Sequence, residues 1–106
     1  MKTEKTLNLL MYDITHDRTL QKVAKLLEQN GFERMNYSVW LGWDELKNLP
    51  LLHQKLQELL RNPKAKGSRL YTMPLKPHTV KAIRSITGHK PPELDYWLGE
   101  QRNLFF

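Results

Sequence analysis

The chain has no cysteine among its 106 residues. Disulfides and thiolate metal sites are therefore excluded, and nothing points to an oxidising compartment. Long apolar runs are also missing. No stretch approaches the ~20 apolar residues that span a bilayer, so no membrane partner is expected. Lys2 and Lys5 flank the start of a short apolar stretch, but it meets Tyr12-Asp13 too soon to be a signal-peptide core, and no run of small residues follows. A cytoplasmic protein is expected. Glycine is scarce, with five residues and no glycine-rich phosphate loop. His16, His53, His78 and His89 form neither an HExxH pattern nor a paired zinc-ligand spacing. No serine stands in a nucleophile-elbow context. Acidic side chains are in deficit, eleven against seventeen Lys and Arg, for a formal net charge of +6. A surplus of this sign suits either a polyanion partner or simple solubility, and says nothing about fold.

What is present suits one domain. At this length roughly two thirds of the extended-chain surface can be buried, so a core is possible without staples. Thr6 to Ile14 reads as a strand with two apolar faces: Leu7, Leu9 and Met11 on one, Leu10, Tyr12 and Ile14 on the other. Such a strand is central and covered on both sides. Helices can cover one side, and a second copy of the chain is the simplest cover for the other. Asp17 is a good N-cap for a helix running to about Asn30, where Gly31 can take the left-handed stop. That helix is amphipathic. Leu20, Val23, Ala24 and Leu27 share one face, while Arg18, Lys22, Lys25 and Gln29 share the other.

From Phe32 the period changes to two. Met35, Tyr37, Val39, Leu41 and Trp43 alternate with Arg34, Asn36, Ser38, Trp40 and Gly42, which predicts two short strands with a bend between them. A second helix follows from about Leu49 to Arg61 and ends at Asn62-Pro63. Lys64 to Gly67 is a basic loop, and Ser68 to Leu75 a further strand, with Pro74 marking an edge or an exit. The order is β-α-β-β-α-β, the split pattern of the ferredoxin-like α+β sandwich. Residues 1–76 are expected to form that domain and 77–106 an irregular C-terminal arm. Within the arm, Thr79 to Ile86 suits a short helix or an extended segment, and Glu93 to Leu98 a single helical turn. Leu104-Phe105-Phe106 is an apolar end that a lone globule would not normally expose.

Three residue sets could carry chemistry. Asp13, at the carboxyl end of the first strand, is placed either to hold magnesium, which takes oxygen ligands and keeps several waters, or to fix the following loop. One carboxylate is few for a catalytic metal, and two copies facing across a dimer axis would make a better site. The basic helix stripe is either a solvated face or a phosphate contact. The fold pattern also suits an RNA-recognition module that stacks bases on sheet aromatics, but the basic-glycine-aromatic run expected on the last strand is missing, and Tyr71 alone does not replace it.

Tyr12-Asp13-Ile14-Thr15, the helix through Val23-Ala24-Lys25-Leu26-Leu27, Gly31-Phe32, and Arg34-Met35-Asn36-Tyr37-Ser38-Val39-Trp40-Leu41-Gly42 together resemble the second core CRISPR-associated protein family, the small subunit of the spacer-acquisition machinery. The resemblance is strongest over residues 7–43. It implies a homodimer with stacked sheets that bridges two dimers of the CRISPR integrase subunit and holds double-stranded prespacer DNA on a basic surface. It also implies metal-dependent endonuclease activity on RNA or DNA, assigned to some members. By the same resemblance, Asp13 matches the family's magnesium-site and catalytic aspartate, with Tyr12 beside it. Arg34 matches the strand arginine, Lys22 a basic helix position, and Trp40 a place usually held by phenylalanine. Leu20 stands where some members carry arginine, a departure that weakens the nuclease reading more than the scaffold reading. Arg18, Lys22, Lys25 and Arg34 are the expected nucleic-acid contacts. Tyr12, Trp40, Leu104, Phe105 and Phe106 are the expected interface residues. The alternative reading is a stand-alone magnesium-dependent endonuclease.

Overall fold

A computed structural model describes residues 5–87 of the chain. The elements run β1 (Lys5–Asp13), α1 (Asp17–Gln29), β2 (Glu33–Asn36), β3 (Val39–Glu45), α2 (Leu49–Leu60), β4 (Arg69–Leu75) and α3 (Pro77–Lys81), with single 3-10 turns at Leu46–Asn48 and Pro63–Ala65. The four strands form one antiparallel sheet in the order β2-β3-β1-β4. This is the ferredoxin-like arrangement expected from the element order. The two-faced strand β1 is central, paired with β3 on one edge and β4 on the other.

Cross-strand register sorts the side chains onto two faces. Leu10 pairs with Trp40, and Leu9 with Leu41. The first pair lies under the helices, in a core of Leu10, Tyr12, Ile14, Val23, Leu27, Phe32, Trp40, Leu52 and Leu56. The second pair lies on the opposite face, where Leu7, Leu41 and Val80 are buried and Leu9, Met35, Trp43 and Leu75 pack around them. Helix α3 thus covers part of that face with Val80. It begins at Pro77, two residues before the expected Thr79. Tyr71 and Met73, which pair with Met11 and Leu9, remain exposed beyond it.

Local chemistry explains the joints. Helix α1 starts at Asp17, with His16 as the extended N-cap residue rather than Asp17 as expected. The His16 ring Nδ1 lies 2.9 Å from the buried Thr19 hydroxyl, and Asp17 sits in the first turn, where its negative charge favours the helix dipole. Gly31 follows the helix with φ +81°, the left-handed conformation expected of it. The bend in the aromatic segment falls at Tyr37-Ser38, with a register shift between Arg34 and Asn36. Pro50 occupies the first turn of α2, where no intrahelical donor is lost. The expected helical turn at Glu93 to Leu98 and the expected interface residues Leu104, Phe105 and Phe106 lie outside the described residues.

Candidate nucleic-acid interface

The carboxyl end of β1 carries Asp13 out of the sheet and into solvent, as its position at a strand end requires. Its cross-strand partner is Arg69, the first residue of β4. The loop that follows is pinned by Thr15. The Thr15 backbone N–H donates to Ser68 Oγ at 3.0 Å, its hydroxyl donates to the Lys66 carbonyl at 3.2 Å, and the two hydroxyls lie 3.2 Å apart. This clasp holds the β1–α1 loop against the loop before β4 and so fixes where Asp13 projects.

Among the described residues, Asp13 is the one carboxylate at the end of β1. Among the described residues, no group of three or more acidic, histidine or cysteine side chains gathers there or elsewhere. The hydroxyls of Thr15 and Ser68 are engaged with each other and with backbone, and the nearest strand partner brings a cation. Among the described residues, a magnesium ion at Asp13 would have this one carboxylate, with waters or phosphate oxygens as its other ligands.

Helix α1 presents Arg18, Lys22 and Lys25 to solvent, while Val23 and Leu27 are fully buried beneath. Two shallow grooves flank it. One, of about 530 Å³, lies between α1 and α2. Lys22, Lys25 and Gln29 line one wall, Lys55, Glu58 and Leu59 the other, and Leu26 the floor. The second, of about 490 Å³, lies between α1 and the β2–β3 hairpin and is lined by Asp17, Leu20, Gln21, Ala24, Lys25, Glu28, Arg34 and Tyr37. Lys25 borders both. The structure therefore brings Lys22 and Lys25 together with Lys55, and Lys25 together with Arg34. It leaves Asp13 outside both grooves.

Arg34 is exposed, and its guanidinium carbon lies 4.7 Å from the Trp40 ring centroid and 5.7 Å from that of Tyr37. Both distances are within cation–π range. Trp40 is 1% exposed and Tyr12 6%. Within one protomer both of these expected interface residues are covered by α1 and α2. The residue alternation left it open which face of β1 and β3 the helices would take, and they took the Trp40 face.

Lys55, Arg69 and Tyr37 were not among the site residues expected from the sequence. Lys55 sits three residues from Leu52 in a leucine-rich helix, and only the α1–α2 packing turns it toward Lys22. Arg69 could not be placed at the site from the sequence, because pairing register, not sequence spacing, brings it opposite Asp13.

The family model described as "CRISPR associated protein Cas2" matches residues 6–83. Among solved structures, the chain is similar to a hypothetical protein, TT1823, from Thermus thermophilus. The TM-score is 0.60 and the identity 29%, covering 69% of this chain and 84% of that one. It is also similar in fold to a chain of a partial Cas6-RT-Cas1–Cas2 complex, with a TM-score of 0.65 and 24% identity, covering 79% of this chain and 93% of that one. No curated protein sequence matches it. Among the described residues, no helix is long and apolar enough to cross a membrane.

Proposed function

We propose, because the chain belongs to the CRISPR-associated Cas2 family, that it serves CRISPR adaptation as a structural subunit. In this reading a homodimer bridges integrase dimers and holds double-stranded prespacer DNA by its phosphates. The observation that carries the reading is the basic relief of α1. Lys22, Lys25 and Lys55 converge on one groove, and Arg18 continues the exposed stripe. The groove carries one acid, Glu58, against three lysines. Such a surface suits a backbone of regularly spaced phosphates and offers no evident element for reading bases.

The homodimer is supported by the half-covered sheet face. Leu9, Met11 and Val39 are half-buried there, and Tyr71 and Met73 are exposed beside them. An apolar patch of this kind marks an interaction surface, and a second copy placing its own sheet there covers both. The integrase partner is supported by the fold neighbour in a complex that contains Cas1 and Cas2. The endonuclease reading has less support. Among the described residues Asp13 is the one exposed carboxylate at the end of β1, and no cluster of three or more metal-ligating side chains stands with it.

The test is duplex binding across a salt series. A dimer contacting about six phosphates should lose log affinity against log salt with a slope of about −5. Joint replacement of Lys22, Lys25 and Lys55 by alanine should flatten that slope. Binding should be indifferent to duplex sequence. Salt-independent affinity, or strong preference for one sequence, would overturn the reading.

A further inference from the structure

Tyr37 is 73% exposed, yet its backbone is held at several points. Its N–H donates to Asn36 Oδ1 at 2.8 Å, and its carbonyl lies 3.5 Å from the Tyr12 hydroxyl. The Tyr12 backbone N–H donates to the neighbouring Ser38 carbonyl at 3.1 Å. The turn is thus tied to the central strand, while the ring itself contributes little to any core. The ring stands in cation–π range of Arg34, whose guanidinium carbon lies 5.7 Å from its centroid.

Arg34 lies opposite Trp40 in the β2–β3 register, and its guanidinium sits over both the Trp40 and Tyr37 rings. Trp40 is immobilised by burial and by its hydrogen bond to Tyr12. The attraction of the two rings for the guanidinium charge uses none of its N–H donors, which remain available to an anion. Those donors are not engaged by a carboxylate: among the described residues the one ion pair joins Lys47 to Glu45. The groove at Arg34 is charge-balanced, with Lys25 and Arg34 against Asp17 and Glu28. The acids disfavour a string of phosphates running into it. A single anionic oxygen pair at the rim, opposite the guanidinium fork, fits the arrangement.

We propose that Tyr37 is a positioning residue, whose ring holds the Arg34 guanidinium as a preset fork for one backbone phosphate of a bound nucleic acid. The inference rests on the nucleic-acid reading above and deepens it. An arginine left free at this site pays rotamer entropy when it meets a phosphate, and the stack removes part of that cost before binding.

The experiment compares wild-type protein with Tyr37→Ala, Tyr37→Phe, Arg34→Ala and the Arg34→Ala/Tyr37→Ala pair on a mixed-sequence duplex over a salt series. Tyr37→Ala should weaken binding by about two- to five-fold per protomer, the scale of an exposed cation–π contact. Tyr37→Phe should bind like wild type, because the ring and not the hydroxyl is used. Arg34→Ala should reduce the salt slope by about 0.9 per lost phosphate contact, and adding Tyr37→Ala to it should change nothing further. The Arg34 Nε–H proton should show a ring-current shift in wild type and Tyr37→Phe that diminishes in Tyr37→Ala. Thermal melting of Tyr37→Ala should match wild type. Binding by Tyr37→Ala equal to wild type would overturn the proposal. So would a loss in Tyr37→Phe as large as in Tyr37→Ala. A Tyr37→Ala effect that persists undiminished without Arg34 would mean that the ring meets the nucleic acid directly, and would also overturn it. Failure of the wild-type protein to bind duplex at any salt would instead sink the functional reading, and this inference with it.

Discussion

The Trp40 indole Nε1 donates a 3.0 Å hydrogen bond to the Tyr12 hydroxyl in the buried layer between sheet and helices. The two residues stand on adjacent strands, and each shields the other's polar atom from an apolar core. Removing the acceptor by Tyr12→Phe leaves a buried indole N–H without its partner. That costs roughly 1–3 kcal/mol. Adding Trp40→Phe to Tyr12→Phe should then cost less than the sum of the two single changes. A double-mutant cycle by denaturant unfolding reads the difference, and strict additivity would show that the bond contributes nothing.

Gly42 of β3 lies directly beneath the Phe32 ring. A Cβ built at Gly42 falls well inside van der Waals contact with that ring, and Phe32 is itself buried. Gly42→Ala should therefore destabilise the fold by roughly 1–3 kcal/mol through overpacking. Phe32→Leu should recover part of the loss in the Gly42→Ala background. If Gly42→Ala melts at the wild-type temperature, the close approach is not maintained in solution.

The open sheet face bears on assembly. A homodimer closing over Leu9, Tyr71 and Met73 should bury roughly 2,000 Å² or more in total, the scale of an obligate pair. Sedimentation of the wild-type protein at micromolar concentration should show a dimer. Met73→Glu, which places a charge on the 47%-exposed Met73 position, should shift it toward a folded monomer. A wild-type protein that is monomeric under these conditions contradicts the assembly.

Asp13 is exposed at the end of β1. Asp13→Asn should change stability by no more than about 0.5 kcal/mol, as for a surface substitution. If the proposed dimer binds duplex by its phosphates, the variant should keep dimerisation intact and duplex affinity unchanged or slightly raised, since one negative charge per chain is lost. Any magnesium-dependent cleavage by the wild type should disappear in the variant, because a metal-bound carboxylate organises the attacking water. Melting with and without magnesium, run beside a cleavage assay, separates the roles. If Asp13→Asn unfolds the protein or dissociates it, Asp13 is a structural residue of the β1–α1 loop.

The element order, the amphipathic face of α1, the stop at Gly31 and the central position of β1 were all legible in the residues themselves. Each depends on local periodicity or on a backbone conformation that one residue type prefers. The basic stripe Arg18, Lys22 and Lys25 was legible for the same reason, since helical spacing alone puts them on one face. What lay beyond the sequence was everything set by pairing between elements. Alternation along β3 showed that Trp40 and Leu41 point to opposite sides, but not which side the helices would cover. Packing against Val23, Leu27, Phe32 and Leu56 made that choice and enclosed Tyr12 and Trp40 within the protomer's own core. Register placed Arg69 opposite Asp13 and Arg34 opposite Trp40, and the α1–α2 contact turned Lys55 toward Lys22 and Lys25. Periodicity is a property of one segment, whereas a site is made where segments distant in sequence meet. That meeting is decided by burial of the combined apolar faces, which no single stretch of residues encodes.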